Sequence, residues 1–319
     1  MNSEIELDYI IDAINRASRI GIFTHMSPDG DAIGSSLALY LGLKQLKKEV
    51  DVITDEYSKC FKFLPNIEDI KSKGDKSYDL AIAVDCATKG RLFDPKSSFD
   101  NSNMTVSIDH HISNTYYARL NYVEGNSPAV SKTLIKILKR LGVSINIEIG
   151  TCLMAGIITD SGGFRYSDVD DETFEFAANM LDVGVDISDI YYRTFDVKTR
   201  AQFELSKIAT SRLKFYNKDR IAITYVTLKD MKSVKAQTGD HEGIVNVARN
   251  IEGVEVSIFL REDEDGTYKV SLRSNDNVNV SDVAELFGGG GHERAAGCVF
   301  NCPLEEAIKK LLKEVNKVL

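Results

Sequence analysis

Residues 19–48, RIGIFTHMSPDGDAIGSSLALYLGLKQLKK, decide the fold of the first half of the chain. Their first part, 19–25, is a short apolar run that is typical of a β-strand, and a polar loop follows it. Residues 32–48 then have the pattern of a helix, with basic residues near its C-terminal end. This order of strand, polar turn and helix predicts the start of an α/β domain.

The same alternation continues through the first half of the chain. We expect further strands at 50–54, 80–85 and 104–109. Helical patterns cover 4–18, 128–141, 147–159, 171–183 and 186–195. Strands that are separated by helices, several of them apolar throughout, predict a parallel sheet covered by helices on both faces.

The second half has a different pattern. Its predicted strands lie at 220–226, 254–261 and 268–274, and the acidic turn between the last two predicts a hairpin. Predicted helices lie at 241–251, 280–287 and 303–318. Together these elements predict a smaller α/β domain with a mixed sheet. We therefore expect a first domain at 1–194, a connector at 195–208 and a second domain at 209–319.

The composition excludes several classes of protein. The 319 residues are enough for two hydrophobic cores, and 39 basic against 48 acidic residues give a net charge of −9. We therefore expect no binding to long duplex nucleic acid or to an anionic membrane. No apolar run approaches the roughly 20 residues of a membrane span, and the N-terminus lacks the pattern of a signal peptide. Five scattered cysteines without a CxxC motif predict reduced thiols and a cytoplasmic location.

Acidic and imidazole side chains follow the predicted strands of the first half. Residues just past the carboxyl ends of parallel strands converge on one crevice, so we expect these side chains to meet. Each alone has an ordinary interpretation as part of a turn, a helix cap or a strand end, but the set as a whole indicates a site. The predicted set is His25, Asp29, Asp31, Asp85, His110 and Asp160.

This mixture of side chains is suited to divalent cations. Carboxylate and imidazole ligands together favour Mn²⁺, with Fe²⁺, Co²⁺ or Zn²⁺ as alternatives. Four carboxylates would repel one another without metal, whereas two divalent cations neutralise them. Two cations about 3.5–4 Å apart can hold both the attacking and the leaving oxygen of an in-line phosphoryl displacement. We expect Asp85 to bridge them, because it is central in the predicted strand order.

Five motifs resemble, in order, those of the DHH phosphoesterase superfamily and its DHHA1 companion domain. They are HMSPDGDAIGSS (25–36), VDC (84–86), DHH (109–111), TDSGGF (159–164) and GGGGHERAAG (288–297). The motifs span nearly the whole chain. Its size is similar to that of the stand-alone branch of bifunctional oligoribonucleases and 3′-phosphoadenosine 5′-phosphate (pAp) phosphatases.

The resemblance implies a role for each residue of the set. One cation would bind His25, Asp29 and Asp85, and the other Asp31, Asp85, His110 and Asp160. His111 would face the scissile phosphate, and Asp109 would orient its neighbours. Cys86 stands where many relatives have a small hydroxyl residue or alanine, which predicts a site that is sensitive to oxidation.

The glycine run of the last motif predicts phosphate binding. Glycines let a backbone approach a ligand and present successive N–H groups, and the sequence matches neither a Walker A loop nor GxGxxG. The candidate residues in this motif are Gly289, Gly290, Gly291, His292 and Arg294. The family pattern adds Arg273 and Ser274 as phosphate contacts. Further candidates for substrate binding are His241 and Arg165.

The function that the resemblance implies is hydrolysis of very short RNA to 5′-mononucleotides and removal of the 3′-phosphate from pAp. A phosphodiesterase acting on pApA or cyclic di-AMP would share every motif. A catalytically silent nucleotide sensor is the alternative outside enzymes, although a sensor has no need of two metals. A DHH inorganic pyrophosphatase would lack the GGGGH signature, and a RecJ-like exonuclease would be longer. The sequence also allows a homodimer.

Overall fold

The structure, a computed structural model, describes residues 3–237, 239–263 and 265–319, without the side chains of Ser3 and His292. It divides into two units, of which the first ends at Val197 and the second covers Lys198–Leu319. Among the described residues, no helix has both the length and the apolar character needed to cross a membrane.

The first unit contains a five-stranded parallel sheet. Its strands are β1 (Arg19–Phe23), β2 (Glu49–Ile53), β3 (Leu80–Val84), β4 (Met104–Asp109) and β5 (Leu120–Val123). Their order is β2-β1-β3-β4-β5, and every neighbouring pair is parallel. The predicted parallel sheet is therefore confirmed, with β3 as its middle strand. Strand β5 was not predicted, because its four residues, LNYV, show neither an apolar run nor a clear alternation.

Six α-helices lie in the described part of the first unit. They are α1 (Ser3–Arg16), α2 (Gly30–Gln45), α3 (Val130–Arg140), α4 (Ile147–Asp160), α5 (Asp171–Val183) and α6 (Ile187–Tyr191). Short 3₁₀ turns lie at Lys59–Phe63, Ile67–Asp69 and Lys89–Arg91, and a π-helical turn follows α6 at Tyr192–Asp196. All of these helices lie within one to three residues of the predicted positions, except that the last predicted helix is divided between α6 and the π-helical turn.

The two faces of this sheet are covered differently. Ile20, Ile22 and Ile82 share one core with apolar residues of the helices. The opposite face carries Phe23 and Ala81, which pack with Tyr78, Phe99 and other loop residues. Small residues on this face leave room for aromatic rings from loops. The cover described here is therefore made of loops, in contrast to the predicted helical layer on both faces.

The second unit contains a six-stranded mixed sheet, as predicted. Its strands are β6 (Lys214–Tyr216), β7 (Ile221–Val226), β8 (Val256–Glu262), β9 (Tyr268–Ser274), β10 (Gly290–His292) and β11 (Ala295–Phe300). Their order is β10-β11-β9-β8-β7-β6, with β7 and β8 parallel and the other pairs antiparallel. Strands β8 and β9 form the expected hairpin.

The helices of the second unit are α7 (Arg200–Ser211), α8 (Leu228–Ser233), α9 (Ile244–Arg249), α10 (Val280–Glu285) and α11 (Leu304–Val318). Helix α7 occupies much of the predicted connector, 195–208. The reason is that Leu205 and Ala209 are buried, one turn apart, in a core with residues of β7, β8 and α9. The segment is therefore part of the second unit rather than a linker.

Candidate metal centre and substrate-binding residues

Three neighbouring strands of the first sheet end at the candidate metal centre. His25 lies just past β1, Asp85 directly follows β3, and Asp109 is the last residue of β4. Because β3 lies between β1 and β4, Asp85 has a histidine from each neighbouring strand end beside it. Asp85 has a φ of 54°, a left-handed conformation that is uncommon outside glycine.

The first group of candidate ligands surrounds His25. Its Nε2 atom lies 3.9 Å from Asp29 Oδ2 and 3.7 Å from Asp85 Oδ2. On the other side of the ring, Nδ1 lies 2.9 Å from the carbonyl oxygen of Met26. This hydrogen bond to the backbone fixes the ring and directs Nε2 toward the carboxylates, as a metal-binding imidazole requires.

The second group surrounds His110. Its Nε2 atom lies 3.4 Å from Asp85 Oδ1 and 3.2 Å from Asp160 Oδ2. Its Nδ1 atom lies 2.9 Å from the carbonyl oxygen of Ser127, which orients this ring in the same way. One ligand atom each of Asp31, His110 and Asp160 lies within 4.8 Å of the others.

The carboxylate of Asp85 is the reason to consider two cations together. Its two oxygens have different neighbours, since Oδ2 lies near His25 and Oδ1 near His110. The side chain is 2% exposed, and Oδ1 has no hydrogen-bond partner among the described residues. A buried carboxylate oxygen without a hydrogen-bond donor is costly unless a cation meets it. The donor set around Asp85 therefore fits two divalent cations that share this carboxylate.

Two of the candidate ligands are also helix caps. Asp29 Oδ1 accepts hydrogen bonds of 3.1 Å from the N–H groups of Asp31 and Ala32, at the start of α2. Asp31 accepts from the N–H groups of Val130 (2.5 Å) and Ser131 (3.0 Å), at the start of α3. Capping and metal binding are compatible because a carboxylate has about four lone-pair directions. The caps hold both carboxylates in place before any cation binds.

Glycines bring helices α2 and α4 close together at the centre, a feature that the sequence analysis missed. A Cβ atom at Gly34 would overlap the carbonyl oxygen of Cys152, and one at Gly156 would overlap the side chains of Asp31 and Ser131. This close approach lets Asp160, at the end of α4, lie beside the residues that follow the strands. The spacing of Gly30 and Gly34 on one face of α2 is the signal that predicts such packing.

The electrostatics of the cluster favour bound cations. Burial alone would lower the pKa of His25, but the nearby carboxylates of Asp85 and Asp29 raise it to about 9. Burial and the charge of Asp85 raise the pKa of Asp31 to about 7. Burial also raises the pKa of Asp160, while the histidines hold that of Asp85 well below its usual range. The carboxylates therefore repel one another more than the nearby histidines can offset. Divalent cations would supply the missing positive charge.

Asp109 and His111 form a separate hydrogen-bonded pair. His111 Nδ1 donates to Asp109 Oδ1 over 2.8 Å, and Asp109 is wholly buried. Burial would lower the pKa of His111, but this hydrogen bond and the charge of Asp85 raise it. Asp109 thus holds the His111 ring through this hydrogen bond, and its role in catalysis stays a prediction.

Cys86 lies next to Asp85 but has the properties of an inert thiol. It is 1% exposed, its Sγ donates to the carbonyl oxygen of Thr88 over 3.2 Å, and burial raises its pKa to about 11. The reactive thiolate is therefore scarce at neutral pH. The structure argues against the predicted sensitivity to oxidation.

The glycine run has a structural role, and its binding of phosphate stays a prediction. Gly290–His292 form strand β10, which pairs with β11. A Cβ atom at Gly289 would overlap the carbonyl oxygen of Gly297, and Gly291 has a φ of 152°. Glycine is thus required for the strand pairing itself. The side chain of His292 lies outside the described part of the structure, so its predicted contact stays a prediction.

The remaining candidates of the second unit differ in accessibility. Arg273 is partly exposed, whereas the neighbouring Ser274 is fully buried, so its hydroxyl does not reach solvent. Arg294 is 40% exposed, with Nη2 3.3 Å from Glu293 Oε1. Burial and the charge of Arg261 lower the pKa of His241 to about 4, so its ring is neutral at pH 7.

Arg165 belongs to the first unit, five residues after Asp160. Its side chain is exposed, and Nε donates to the carbonyl oxygen of Gly162 over 2.6 Å. This bond holds the guanidinium at the turn that follows α4. The contact of Arg165 with substrate stays a prediction.

Comparisons with known proteins agree with these features. Two family models match the chain: the DHH family, N-terminal domain, over residues 19–157, and the DHHA1 domain over residues 206–319. The bifunctional oligoribonuclease and PAP phosphatase NrnA of Thermus thermophilus is 33% identical over 304 residues, which cover 94% of this chain and 90% of that protein. The probable bifunctional oligoribonuclease and PAP phosphatase NrnA of Streptococcus mutans is 28% identical, and the match covers 95% of this chain and 98% of that protein.

A solved structure is also similar. The crystal structure of an exopolyphosphatase-related protein from Bacteroides fragilis has a TM-score of 0.89 and 29% identity, covering 98% of this chain and 96% of that chain. The five-stranded parallel sheet, the six-stranded mixed sheet, the two family models and the relative from Thermus thermophilus point to the same conclusion. The chain belongs to the DHH family of phosphoesterases, and its second unit is a DHHA1 domain.

Proposed function

We propose that this protein is a Mn²⁺-dependent phosphoesterase with two metal ions that hydrolyses short oligoribonucleotides to 5′-mononucleotides and removes the 3′-phosphate of pAp. The observation that carries the proposal is the position of Asp85, whose Oδ2 is 3.7 Å from His25 Nε2 and whose Oδ1 is 3.4 Å from His110 Nε2. The choice of substrates is supported by relatives that are named as bifunctional oligoribonucleases and PAP phosphatases.

The candidate ligands divide into two sets that share Asp85. One set is His25, Asp29 and Asp85. The other is the group of Asp31, His110 and Asp160, to which we add Asp85 because its Oδ1 lies 3.4 Å from His110 Nε2. When bound, two divalent cations supply positive charge for the attacking and leaving oxygens of an in-line phosphoryl displacement. We propose Mn²⁺ because a mixture of carboxylate and imidazole ligands suits it.

His111 is the residue that we assign to the phosphate itself. Its Nδ1 atom donates to Asp109 Oδ1, so the other ring nitrogen, Nε2, lies on the side of the ring away from Asp109. We propose that His111 acts with both ring nitrogens protonated, so that Nε2–H donates a hydrogen bond to a non-bridging oxygen of the scissile phosphate and stabilises the negative charge that develops there. The buried charge of Asp109 favours a proton on Nδ1 throughout this step.

We assign the binding of the rest of the nucleotide to the second unit. The candidates are the exposed parts of Arg273 and Arg294, together with His292 and the backbone of Gly290 and Gly291. Guanidinium groups pair with phosphate oxygens in a defined geometry. A net charge of −9 gives the protein little attraction for a long polyanion, which supports short substrates.

One assay panel tests the proposal. Purified protein with Mn²⁺ is given pAp, a trinucleotide RNA, pApA, cyclic di-AMP, long single-stranded DNA and pyrophosphate. We expect turnover of the trinucleotide, with release of 5′-mononucleotides, and of pAp, with release of phosphate. Turnover of cyclic di-AMP or pApA alone would replace the proposed substrates with dinucleotides. Tight binding of pAp without turnover of any compound would indicate a nucleotide sensor.

A further inference from the structure

Asn114 lies in the loop after β4 and is connected to His111 through the carboxylate of Asp109. Its side chain belongs to neither set of candidate ligands, and the residue is 7% exposed. The Nδ2 atom donates a hydrogen bond of 2.6 Å to Asp109 Oδ2. The other oxygen of that carboxylate, Oδ1, accepts from His111 Nδ1. Asn114 and His111 therefore hold the two oxygens of one buried carboxylate.

The orientation of the Asn114 amide is fixed by the backbone. Its Oδ1 atom accepts a hydrogen bond of 2.7 Å from the N–H group of Tyr116. Its own N–H group donates to the carbonyl oxygen of His111 over 3.0 Å. Because the amide oxygen is already engaged with a donor, the amide nitrogen must be the atom that faces Asp109. The hydrogen bonds thus run in one direction, from Tyr116 through Asn114 to Asp109.

We propose that Asn114 is a positioning residue which, through Asp109, fixes the ring orientation of His111 and keeps a proton on its Nδ1. The inference rests on the proposed function only in assigning His111 to the phosphate. Without the amide, Asp109 would keep one donor and gain freedom to rotate, and the His111 ring would follow it. Outer partners of this kind typically change activity or metal affinity by about 10–100-fold when they are replaced.

A second buried asparagine provides a matched control. Asn121, in β5, is also 7% exposed. Its Oδ1 atom accepts from the N–H group of Ala118 over 3.2 Å, and its Nδ2 atom donates to the carbonyl oxygen of Ala118 over 2.8 Å. These bonds close a loop and reach no residue of the candidate centre. The same substitution at Asn121 therefore measures the cost of losing a buried amide alone.

The kinetic test compares Asn114→Asp with Asn121→Asp. In Asn114→Asp the new carboxylate faces Asp109 and repels it, so we expect kcat on pAp or trinucleotide RNA to fall by about 10–100-fold. KM and the calorimetric affinity for Mn²⁺ should stay within about twofold, because the candidate ligands are untouched. Asn121→Asp should lose stability by a similar amount and keep its kcat. Asn114→Ala and Asn121→Ala repeat the comparison without added charge, in case the first variant fails to fold.

The spectroscopic test does not depend on the substrate. The chain has five histidines, so ¹⁵N-labelled histidine in the Mg²⁺-loaded protein gives few signals, and His111→Gln assigns one of them. We expect a slowly exchanging Nδ1 proton on His111 in the native protein and its loss in both Asn114 variants. The Asn121 variants should retain it.

Several outcomes would overturn the inference. They are an unchanged His111 signal in the Asn114 variants, an equal loss of kcat in the Asn121 variants, or a loss of Mn²⁺ affinity that accounts for the loss of kcat. If the native protein hydrolyses neither pAp nor short RNA, the proposed function fails. The His111 signal would still decide the role of Asn114.

Discussion

His110 Nε2 lies 3.4 Å from Oδ1 of Asp85, a buried oxygen that has no hydrogen-bond partner among the described residues. The other oxygen of the same carboxylate lies 3.7 Å from His25 Nε2. The neighbouring histidines stabilise the charge of this carboxylate, but its Oδ1 atom has no hydrogen-bond donor among the described residues, and a bound cation would meet it. The proposed function requires cations bound beside this carboxylate.

Replacement of Asp85 should remove activity without unfolding the protein. Asparagine keeps the shape of the side chain but removes the charge that the two ligand sets share, so we expect Asp85→Asn to lower kcat by more than about 100-fold. The control is Asp79→Asn, since Asp79 accepts hydrogen bonds from Ser18 and Arg19 and lies outside the centre. Near-normal turnover by Asp85→Asn would reject the site assignment. Steady-state assays and circular dichroism provide both measurements.

The close approach of α2 and α4 should be required for metal binding. A methyl group at Gly156 would push against Asp31, so Gly156→Ala should weaken Mn²⁺ binding by about tenfold or more. In the matched control, Gly150→Ala, the new Cβ would lie 2.8 Å from Met180 Sδ and from Val185 Cγ2, away from the ligands. Both variants should melt at lower temperature, but only the first should lose affinity in calorimetry. Equal Mn²⁺ affinities would show that Asp31 is not held by this packing.

Stability should decrease in acid partly through Asp170. Burial would raise the pKa of this carboxyl, but hydrogen bonds from Lys132 and Thr173 lower it to about 2. Because the folded-state pKa is depressed from the ordinary 3.8, the stabilisation is complete above about pH 4 and is lost as the pH falls toward 2. The side chain is 42% exposed, so we expect a contribution of only about 1 kcal/mol after solvent screening.

Asp170→Asn isolates this contribution, because asparagine retains the cap at the start of α5 but not the charge. Urea unfolding at pH 5 should show the variant to be less stable than the native protein by about 1 kcal/mol. At pH 2.5 the difference should shrink. A difference that stays constant between these pH values would contradict the assignment.

Glu255 should support the GGGGHERAAG segment, residues 288–297, which we propose to bind substrate. It is 6% exposed and accepts hydrogen bonds from the N–H groups of Asn277 (2.7 Å) and Val278 (3.0 Å). The loop that Glu255 holds leads to Val280. The N–H group of Val280 donates to the carbonyl oxygen of Glu293, within segment 288–297, over 2.9 Å. Glu255→Gln should therefore disturb the segment without touching the metal ligands.

We expect Glu255→Gln to raise KM by about tenfold, since a hydrogen bond to a charged group contributes roughly 1.5–3 kcal/mol. Its kcat should stay within about twofold of the native value. Glu262→Gln is the control, because Glu262 also accepts a backbone hydrogen bond in this unit, from Leu228 over 2.9 Å. A lower kcat with unchanged KM would place the glycine segment outside substrate binding.

The central strands, and the meeting of acidic and imidazole side chains at their ends, could be predicted because both depend on local signals. The apolar runs before His25 and Asp85 predict strands, and parallel strands bring their ends together. Other features depend on tertiary contacts. The four residues of β5 become a strand only by pairing with β4, and Asp31 caps α3, which lies about 100 residues further along the chain. Neither relationship has a signature within a short window of sequence.

The same distinction applies to the second unit. The segment from Arg200 has a polar composition, and only the burial of Leu205 and Ala209 makes it part of a core. Strand alternation turns Ser274 to the buried side of β9 while Arg273 lies on the other side, and the expected contact of Ser274 with phosphate stays a prediction. Packing decides which of two neighbouring strand residues faces the core, and the motif alone does not indicate this.

Electron paramagnetic resonance of the Mn²⁺-loaded protein tests the central claim most directly. We predict two Mn²⁺ per chain with the spectrum of a coupled pair, because a shared Asp85 carboxylate would hold two ions at the roughly 3.5–4 Å typical of two-metal sites. Asp85→Asn should abolish the coupling. A native protein that binds one Mn²⁺ per chain, or two that give only uncoupled six-line spectra, would contradict a shared carboxylate.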